Sequence, residues 1–343
     1  MNSLLVKGSY STSRILVGEN FKNVWSYVPD GNVYIISDKN VMNLYGQFFK
    51  GKNIYEVDPG ENSKSLMAVS DIYRWLLSCH ATRNSFILGV GGGVVCDIAG
   101  FVASTYMRGV KFGFVATSLL AQVDASVGGK NGVNLDGYKN IVGTFNQPNF
   151  VICDTTMLQT LPKKELANGF AEMLKHALIA DSKKFYLMEQ EIDRVNGCDV
   201  ELLNELVFRS VQIKVNVVSA DEREKGERKK LNFGHTWGHA VEKVTGFPHG
   251  YSISIGMEFA SRLSMKKELL TRNEYLRIVN MLKNLKLPAC VNADLSEIFD
   301  ALTKDKKRNG DYIDFILLNG IGKAVIESIT IEDLHAFVFN SVG

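Results

Sequence analysis

The sequence predicts an α/β plus α fold, with a Rossmann-like, mainly parallel N-terminal sheet domain and a C-terminal all-helical domain. Up to about residue 155, short β-branched or apolar runs alternate with amphipathic stretches, which is typical of strands alternating with helices. Beyond that point apolar residues recur at three- and four-residue intervals, the period of helices. The 343 residues allow two cores, because single cores usually stop growing near roughly 250–300 residues.

Individual elements follow from the same patterns. Residues 33–37, 54–57 and 85–89 predict strands, because they are short, apolar and bounded by polar or glycine-containing segments. Pro162 marks a crossing between domains, since proline stops one element and pre-shapes the next. We therefore expect an α/β domain at 1–158 and a helical domain at 159–343. Helices are predicted at 163–194, 200–219 and 255–287, and the end of the chain from residue 338 is left unassigned.

Composition excludes several classes of protein. Hydrophobic residues make up 45% of the chain and charged residues 22%, and no apolar run approaches the roughly 20 residues of a membrane helix. A net charge of +2 gives no field that calls for nucleic acid. The five cysteines are scattered, and the first residues lack the features of a signal peptide. We expect a cytoplasmic protein with reduced thiols that binds neither nucleic acid nor membrane.

A cluster of histidines indicates a metal site. His235, His239 and His249 fall within fifteen residues, in a glycine-rich stretch. Zinc-type ions bind imidazoles and carboxylates, and a catalytic site keeps one position open, so three protein ligands are expected. The best carboxylate is Glu172, which helical spacing places on one face with Lys175. Histidines four residues apart are also often satisfied by hydrogen bonds alone, and their spacing does not decide which imidazoles bind the ion.

A glycine loop joins a predicted strand to a predicted helix. Gly91, Gly92 and Gly93 would let backbone N–H groups approach a phosphate at the helix N-terminus. The loop departs from the usual dinucleotide fingerprint, because Val94 stands where the third glycine belongs. A tight strand-to-helix turn needs the same glycines, so this loop alone is weak evidence for a nucleotide.

Two further polar segments accompany the loop. Glu61 and Lys64 follow another predicted strand, where the acid could accept hydrogen bonds from ribose hydroxyls. Residues 116–140 combine small polar groups with apolar residues, which favours a backbone held in a core that offers Asp124 and Lys130 to a cavity. Either segment alone could be an ordinary turn or solvated loop.

Together these motifs closely resemble the 3-dehydroquinate synthases, members of the sugar-phosphate cyclase family. The order and chemistry of so many joint matches are far more specific than any single motif. The matching segments span most of the chain, at 59–64, 91–97, 105–109, 123–130, 139–140, 171–176, 220–224, 228, 232–239, 249–250 and 305–307.

The resemblance implies the cofactors and their residues. It implies NAD, bound by the domain at 1–158, together with Zn²⁺ or Co²⁺, bound with the substrate by the domain at 159–343. It makes Glu172, His235 and His249 the metal ligands. The NAD-binding residues that it implies are Glu61, Lys64, Gly91, Gly92, Gly93, Asp97, Thr117, Ser118, Lys130, Lys139 and Thr155. Cys96, Ser118 and Asn131 depart from the family pattern, and we expect Cys96 to alter the loop because it cannot adopt positive φ cheaply.

The resemblance also implies the residues that contact a small sugar-phosphate substrate. Its carboxylate end would meet Lys130, Arg228 and Asn232, and its phosphate end Asn140, His239 and Lys306, although Lys307 is an adjacent candidate. The ring hydroxyls would meet Asp124, Lys175, Lys214 and Glu224, which together with Lys130 and His239 are the expected catalytic groups. Arg108 would reach the phosphate from the neighbouring subunit of a homodimer.

The implied reaction converts 3-deoxy-D-arabino-heptulosonate 7-phosphate to 3-dehydroquinate and phosphate, a step of the shikimate pathway to chorismate and the aromatic amino acids. It proceeds by transient oxidation at C5, elimination of phosphate, re-reduction and aldol closure, so NAD ends unchanged. The alternative is a metal-dependent NAD dehydrogenase of the glycerol or glycerol-phosphate type. A related cyclase whose substrate lacks a carboxylate is disfavoured by Arg228, because an unpaired buried arginine is costly.

Overall fold

The computed structural model describes residues 1–8, 12–221, 224, 226–304 and 308–340, without the side chains of Arg308 and Asn309. It comprises two compact units. The first consists of Met1–Leu166 and Val200–Glu222, and the second of Ala167–Asp199 and Arg223–Gly343.

The first unit is built on a seven-stranded sheet in the order β1-β2-β9-β6-β5-β3-β4. Only β1 and β2 pair antiparallel among the described strands of this sheet, so the predicted mainly parallel sheet is confirmed. Strands β7 and β8 form a separate antiparallel hairpin. The strands are β1 (Asn2–Lys7), β2 (Thr12–Val17), β3 (Val33–Asp38), β4 (Asn53–Val57), β5 (Phe86–Gly91), β6 (Lys111–Ala116), β7 (Lys130–Leu135), β8 (Tyr138–Phe145) and β9 (Phe150–Cys153).

The helices of both units are numbered together in chain order. They are α1 (Lys39–Tyr45), α2 (Leu66–Ser78), α3 (Gly93–Thr105), α4 (Lys163–Ala180), α5 (Ser182–Gln190), α6 (Ile192–Asn196), α7 (Val200–Ala220), α8 (His235–Thr245), α9 (His249–Lys266), α10 (Arg272–Asn284), α11 (Leu295–Thr303) and α12 (Ile331–Phe339).

The parallel sheet explains where the nucleotide-binding candidates lie. Strands β5, β6 and β9 are buried along their whole length, apart from Lys111, as expected for a sheet covered on both faces. Gly91 and Ala116 are paired at the carboxyl ends of β5 and β6. The glycine loop and Thr117 therefore follow neighbouring strand ends, the edge at which open α/β sheets bind ligands.

Helix α7 differs from the predicted domain division. It was expected in the second domain, but it belongs to the first compact unit, where it packs against β1 and β2. Its periodicity predicted a helix with a buried face but not which elements that face would meet. The first unit therefore extends to Leu166 and also includes Val200–Glu222, instead of ending at the predicted boundary of residue 158.

Two long predicted helices are divided. Residues 163–194 contain α4, α5 and the start of α6. Residues 255–287 contain most of α9 and the whole of α10. Asp181 caps the start of α5 by accepting a hydrogen bond from Lys184 N. Thr271 and Glu274 form a capping box at the start of α10. Such caps supply the partners that the first N–H groups of a helix need, so each begins a new helix.

The second unit is mostly helical, but the expected all-helical domain needs a correction. The unit also contains a three-stranded antiparallel sheet, which the sequence reading missed. Its longer strands join through a tight turn in which Asn319 N donates to Lys323 O, and the unassigned chain end continues α12 to Phe339. The strands are β10 (Arg308–Asn309), β11 (Tyr312–Leu318) and β12 (Ala324–Thr330).

Glycines bring three helices of the second unit close together. A methyl group at Gly256 of α9 would overlap the carbonyl oxygen of Gly234, which precedes α8. One at Gly238 of α8 would lie 2.8 Å from Ser252 O. One at Gly250 would lie 2.5 Å from Asn168 Cα on α4. Only glycine permits these approaches, so the glycines of the histidine-rich stretch set the spacing of α4, α8 and α9.

None of the helices in the described part of the chain combines the length and hydrophobicity required to span a membrane.

Candidate active site

The second unit brings Glu172, His235 and His249 together. Glu172 lies on α4, whereas His235 and His249 are the first residues of α8 and α9. Nε2 of each histidine lies 3.6 Å from the same carboxylate oxygen of Glu172. Ligand atoms about 2.1 Å from one tetrahedral ion are separated by about 3.4 Å. The three side chains thus have the chemistry and spacing of a divalent-cation site.

The other ring nitrogen of each histidine has a partner outside the cluster. His235 Nδ1 lies 3.1 Å from Phe233 O, and His249 Nδ1 lies 3.3 Å from a carboxylate oxygen of Glu242. A carbonyl or carboxylate oxygen only accepts, so each Nδ1 carries the proton. Each Nε2 is then directed at Glu172, the arrangement that metal-binding histidines usually have.

The two imidazoles differ in protonation. Burial lowers the pKa of His235 well below its usual value, and the positive charge of Lys175 lowers it further. Burial acts in the same direction on His249, but hydrogen bonds to Glu172 and Glu242 outweigh it and raise the pKa to about 9. In the absence of a cation, His235 is therefore neutral and His249 is protonated at neutral pH.

Lys175 and His239 border this cluster. Lys175 lies one helical turn after Glu172 and forms an ion pair with it, so two almost fully buried charges compensate each other. The centroid of the His239 ring lies 5.2 Å from that of His235 and 6.1 Å from that of His249. His239, Glu242 and His249 form a second group that could hold a cation.

Other predicted substrate residues of the second unit lie before α8. Asn232 donates a 2.5 Å hydrogen bond to Glu224, whose φ of 60° is positive. Arg228 is buried, which is unusual for a residue in a run of basic side chains. Lys306 and Lys307 lie outside the described residues.

In the first unit, the predicted cofactor residues gather at the carboxyl ends of the strands. Gly92 lies between β5 and α3, and a methyl group there would lie 3.2 Å from Ser118 Oγ. Thr117 N donates to Gly91 O. Thr155 Oγ1 donates to Asn204 Oδ1 at 2.7 Å. Gly91 thus ends β5, Gly92 and Gly93 follow it, Thr117 and Ser118 follow β6, and Thr155 follows β9.

The buried side chain of Lys64 is the centre of a polar network. Its Nζ lies 2.5 Å from Asp97 Oδ2 and 2.5 Å from Asn140 Oδ1. Glu61 accepts a 2.8 Å hydrogen bond from Asn134. Burial raises the pKa of Asp97 to about 6, although the charge of Lys64 opposes the shift. The structure therefore joins predicted cofactor residues to Asn140, which the resemblance assigns to substrate.

The remaining predicted residues of the first unit fall into two groups. Lys214 on α7 donates to the side chain and the backbone carbonyl of Asp124, both at 2.6 Å. Lys130, Lys139 and Arg108 are exposed. Arg108 lies in a turn where its φ of 68° is positive, and no described residue forms an ion pair or hydrogen bond with it.

The structure departs from the sequence analysis at Cys96 and at Glu242. Cys96 lies inside α3 with ordinary helical φ, so the expectation that it would disturb the glycine loop is wrong. Glu242 was not among the predicted residues, although it contacts His249. Its signal was its position seven residues after His235, which places both on one face of a helix.

Comparison with known proteins decides the family. A model of the 3-dehydroquinate synthase N-terminal domain matches residues 54–168, and a model of the C-terminal domain of the same family matches residues 169–308. The chain belongs to the 3-dehydroquinate synthase family. It is accordingly an enzyme of the carbon–oxygen lyase class, and the alternative of a glycerol-type dehydrogenase is not favoured.

Individual members of the 3-dehydroquinate synthase family are similar along most of their length. The 3-dehydroquinate synthase of Dehalococcoides mccartyi is 41% identical over 310 residues, which cover 87% of this chain and 86% of that protein. The one from Streptococcus thermophilus is 40% identical over 334 residues, covering 94% and 93%.

A solved structure supports the predicted fold class. The crystal structure of 2-deoxy-scyllo-inosose synthase, complexed with carbaglucose-6-phosphate, NAD⁺ and Co²⁺, matches with a TM-score of 0.87 and 26% identity. The match covers 99% of this chain and 100% of that one. The α/β plus α class is thereby confirmed.

Proposed function

We propose that this chain converts 3-deoxy-D-arabino-heptulosonate 7-phosphate to 3-dehydroquinate and phosphate, using NAD and a divalent Zn²⁺ or Co²⁺. The observation that carries the proposal is the convergence of His235 and His249 Nε2 on one oxygen of Glu172 in a chain of this family. The chemistry supplied by the bound groups would be Lewis-acid polarisation of a substrate hydroxyl by the cation and reversible hydride acceptance by NAD.

The proposed ligands fit a cation. Glu172, His235 and His249 each offer one ligand atom, and these atoms lie within 4.8 Å of one another. A buried carboxylate beside two imidazoles is a donor set suited to zinc or cobalt and leaves room for a substrate oxygen. The charge of Lys175 helps to keep His235 neutral, the state in which imidazole binds a metal.

The proposed NAD residues also fit their ligand. The glycine loop begins α3, so its backbone N–H groups can meet a pyrophosphate at the helix N-terminus. A methyl group at Gly93 would lie 3.1 Å from Ala125 Cβ, so the loop has little space for side chains. Glu61, Lys64 and Asp97 would bind ribose hydroxyls, with Thr117, Ser118, Lys130, Lys139 and Thr155 as further contacts.

The proposed substrate contacts orient the sugar phosphate. Buried Arg228, with Asn232 and Lys130, would bind the carboxylate, because a planar guanidinium matches it with two hydrogen bonds. Asn140, His239 and Lys306 would bind the phosphate. The ring hydroxyls would be ordered by Asp124 with Lys214, by Lys175 and by Glu224. Holding a flexible substrate in one orientation is the positional contribution that a multistep reaction requires.

We include a homodimer in the proposal, in which Arg108 binds the substrate phosphate of the other subunit. The β7–β8 hairpin exposes Leu135, Tyr138, Ile141 and Phe145, an apolar surface that a second copy could cover. The positive φ of Arg108 costs energy that a contact with another copy would offset.

Mixing two inactive variants tests this arrangement. Arg108→Ala and Glu172→Gln subunits, unfolded and refolded together, should regain about a quarter of the wild-type activity, because half of the dimers are hybrids with one intact site. If Arg108 serves its own subunit, the mixture stays inactive. Two different affinity tags on the two variants, used in tandem purification, show that hybrid dimers form.

A cytoplasmic location is also part of the proposal. It is supported by the cysteines, all five of which are free thiols, as is usual in a reducing compartment. Fractionation of the source cells would test it, with periplasmic or secreted protein as the opposing result.

The decisive experiment measures two products at once. Purified protein is incubated with NAD and the heptulosonate phosphate, and released phosphate and NADH absorbance are followed together. We expect stoichiometric phosphate without lasting NADH, and loss of turnover after chelation or in Glu172→Gln. NADH that accumulates with product would instead indicate a dehydrogenase, and wild-type rates in Glu172→Gln would refute the ligand assignment.

A further inference from the structure

We propose that Glu242 is a positioning residue for the metal centre, which holds His249 in the orientation needed to bind the cation. This inference rests on the proposed ligand set of Glu172, His235 and His249. Glu242 would touch neither the cation nor the substrate, and it would act only through the imidazole of His249.

The geometry gives the imidazole two carboxylate neighbours on opposite nitrogens. His249 Nδ1 lies 3.3 Å from Glu242 Oε2, and His249 Nε2 lies 3.6 Å from Glu172 Oε1. An ionised carboxylate can only accept, so the bond to Glu242 fixes the proton on Nδ1. When Nε2 loses its proton to bind a cation, its lone pair points to the ligand cluster, and rotation of the ring would break the bond to Glu242.

His249 needs such a partner more than His235 does. The side chain of His249 is 34% exposed, against 11% for that of His235. His235 is surrounded by protein and is oriented by the carbonyl oxygen of Phe233, two residues away. His249, at the start of α9, depends on a side chain from α8 for the equivalent bond.

Helix α8 therefore contributes to both imidazole ligands. His235 and Glu242 are seven residues apart on this helix and lie on one face. The first would bind the cation directly, and the second would orient the ligand from α9. Because contacts of Gly238 and Gly256 fix the spacing of the two helices, Glu242 meets His249 in a defined geometry.

The test compares two substitutions at Glu242 in the full-length protein. Glu242→Leu removes the acceptor, whereas Glu242→Gln keeps an amide oxygen that can still accept from Nδ1. We expect zinc affinity, measured by competition with a chromophoric chelator, to fall about 10- to 100-fold in the leucine variant. Glutamine should restore most of it. The absorption spectrum of the Co²⁺-loaded leucine variant should also shift, which a general loss of stability would not cause.

Glu258 supplies a matched control. Its carboxylate is similarly buried, at 15% exposure against 12% for Glu242, but it accepts from Tyr275 and Arg262 on the same unit. Glu258→Leu should bind zinc as the wild type does and should leave the cobalt spectrum unchanged. Circular dichroism of the metal-free variants shows whether each one folds.

The outcomes separate this inference from the proposed function. If Glu172→Gln loses zinc while both Glu242 variants keep wild-type affinity and an unshifted cobalt spectrum, the inference on Glu242 is overturned and the ligand set survives. If Glu172→Gln binds zinc like the wild type, the ligand set itself is wrong. Should Glu242→Leu not fold, Glu242→Ala, which also removes the acceptor, takes its place, and wild-type zinc affinity with an unshifted cobalt spectrum in that variant would overturn the inference.

Discussion

Lys214 donates 2.6 Å hydrogen bonds to the backbone carbonyl and the side chain of Asp124, a residue 90 positions earlier in the chain. The Lys214 side chain is nearly buried, whereas Asp124 remains partly exposed. Asp124 belongs to a short π-helical turn, Ala121–Ala125, so the pair holds a charged donor against an acceptor of this turn. Two groups held in this way can orient a polyol without moving when it binds.

Replacing Lys214 with methionine should harm activity more than stability. Methionine fills the space of the lysine stem, and the partly exposed Asp124 can turn to water. We expect kcat/KM to fall at least about 100-fold, with a loss of about 1 kcal/mol in the free energy of unfolding. Steady-state kinetics and urea denaturation measure the two effects. Arg209→Met, which removes an exposed ion pair with Glu205 on the same helix, should change neither by much.

NAD affinity should depend on pH through Asp97. Its pKa is raised to about 6, so the carboxylate is protonated below that pH and ionised above it. If the carboxylate accepts hydrogen bonds from a ribose, the Kd for NAD should decrease as pH rises through 6 and then level off. Equilibrium dialysis between pH 5 and 8 would measure this. Asp97→Asn should bind weakly with no such dependence, whereas Asp71→Asn, at an exposed pair with Arg74, should behave as wild type.

Zinc binding should release about one proton at neutral pH. The pKa of His249 is raised to about 9 in the absence of a cation, and a metal requires the neutral ring. Apparent zinc affinity should therefore rise about tenfold per pH unit from 7 to 8.5. Calorimetry in buffers of different ionisation enthalpy counts the proton, and a count of zero would contradict the assignment of His249.

The raised pKa of His249 also makes the stability of the metal-free protein depend on pH. Because the folded pKa lies above the ordinary value of 6.5, this histidine stabilises the fold fully below pH 6.5. That contribution is lost as pH rises through 9. Thermal unfolding of the metal-free protein should show the decline, and zinc-loaded protein should not.

Gly250→Ala should weaken the metal site without altering any proposed ligand. The new methyl group would lie 2.5 Å from Asn168 Cα and 2.8 Å from Asn168 O, so α4 and α9 must separate. We expect the free energy of unfolding to fall by about 1–3 kcal/mol and zinc affinity to decrease with it. Urea denaturation and chelator competition measure these values. Gly46→Ala, whose methyl group would lie 3.7 Å from Met42, is the control.

Much of the fold could be read from local patterns. The runs at 33–37, 54–57 and 85–89 are strands β3, β4 and β5, because buried parallel strands need continuous apolar residues. The division of α9 from α10 and the sheet β11–β12 were missed. Helical periodicity identifies a buried face but not the elements against which that face packs. For that reason the sequence did not predict that α7 belongs to the first unit.

The candidate site shows the same limit. Histidine clustering and the glycines indicated a metal site, but the spacing of His235 and His239 could not decide between them, because both lie on one face of α8. The resemblance supplied the choice. Glu242 was missed because a carboxylate on a helix is ordinary in sequence, and the contact of Lys214 with Asp124 is not encoded by any local spacing.

The overlap that a methyl group at Gly256 would make with Gly234 bears on which ions this protein can accept. Backbone contacts through glycine hold α8 against α9 and α9 against α4, so the main chain sets the positions of the three donors. Two imidazoles and one carboxylate suit ions that bind nitrogen and oxygen at about 2.0–2.2 Å. Ca²⁺ takes about six to eight oxygens, and this set of donors supplies a single carboxylate. Zinc and cobalt have similar radii, so the positions of the donors do not distinguish them. Metal supply in the cell then decides which of the two is bound.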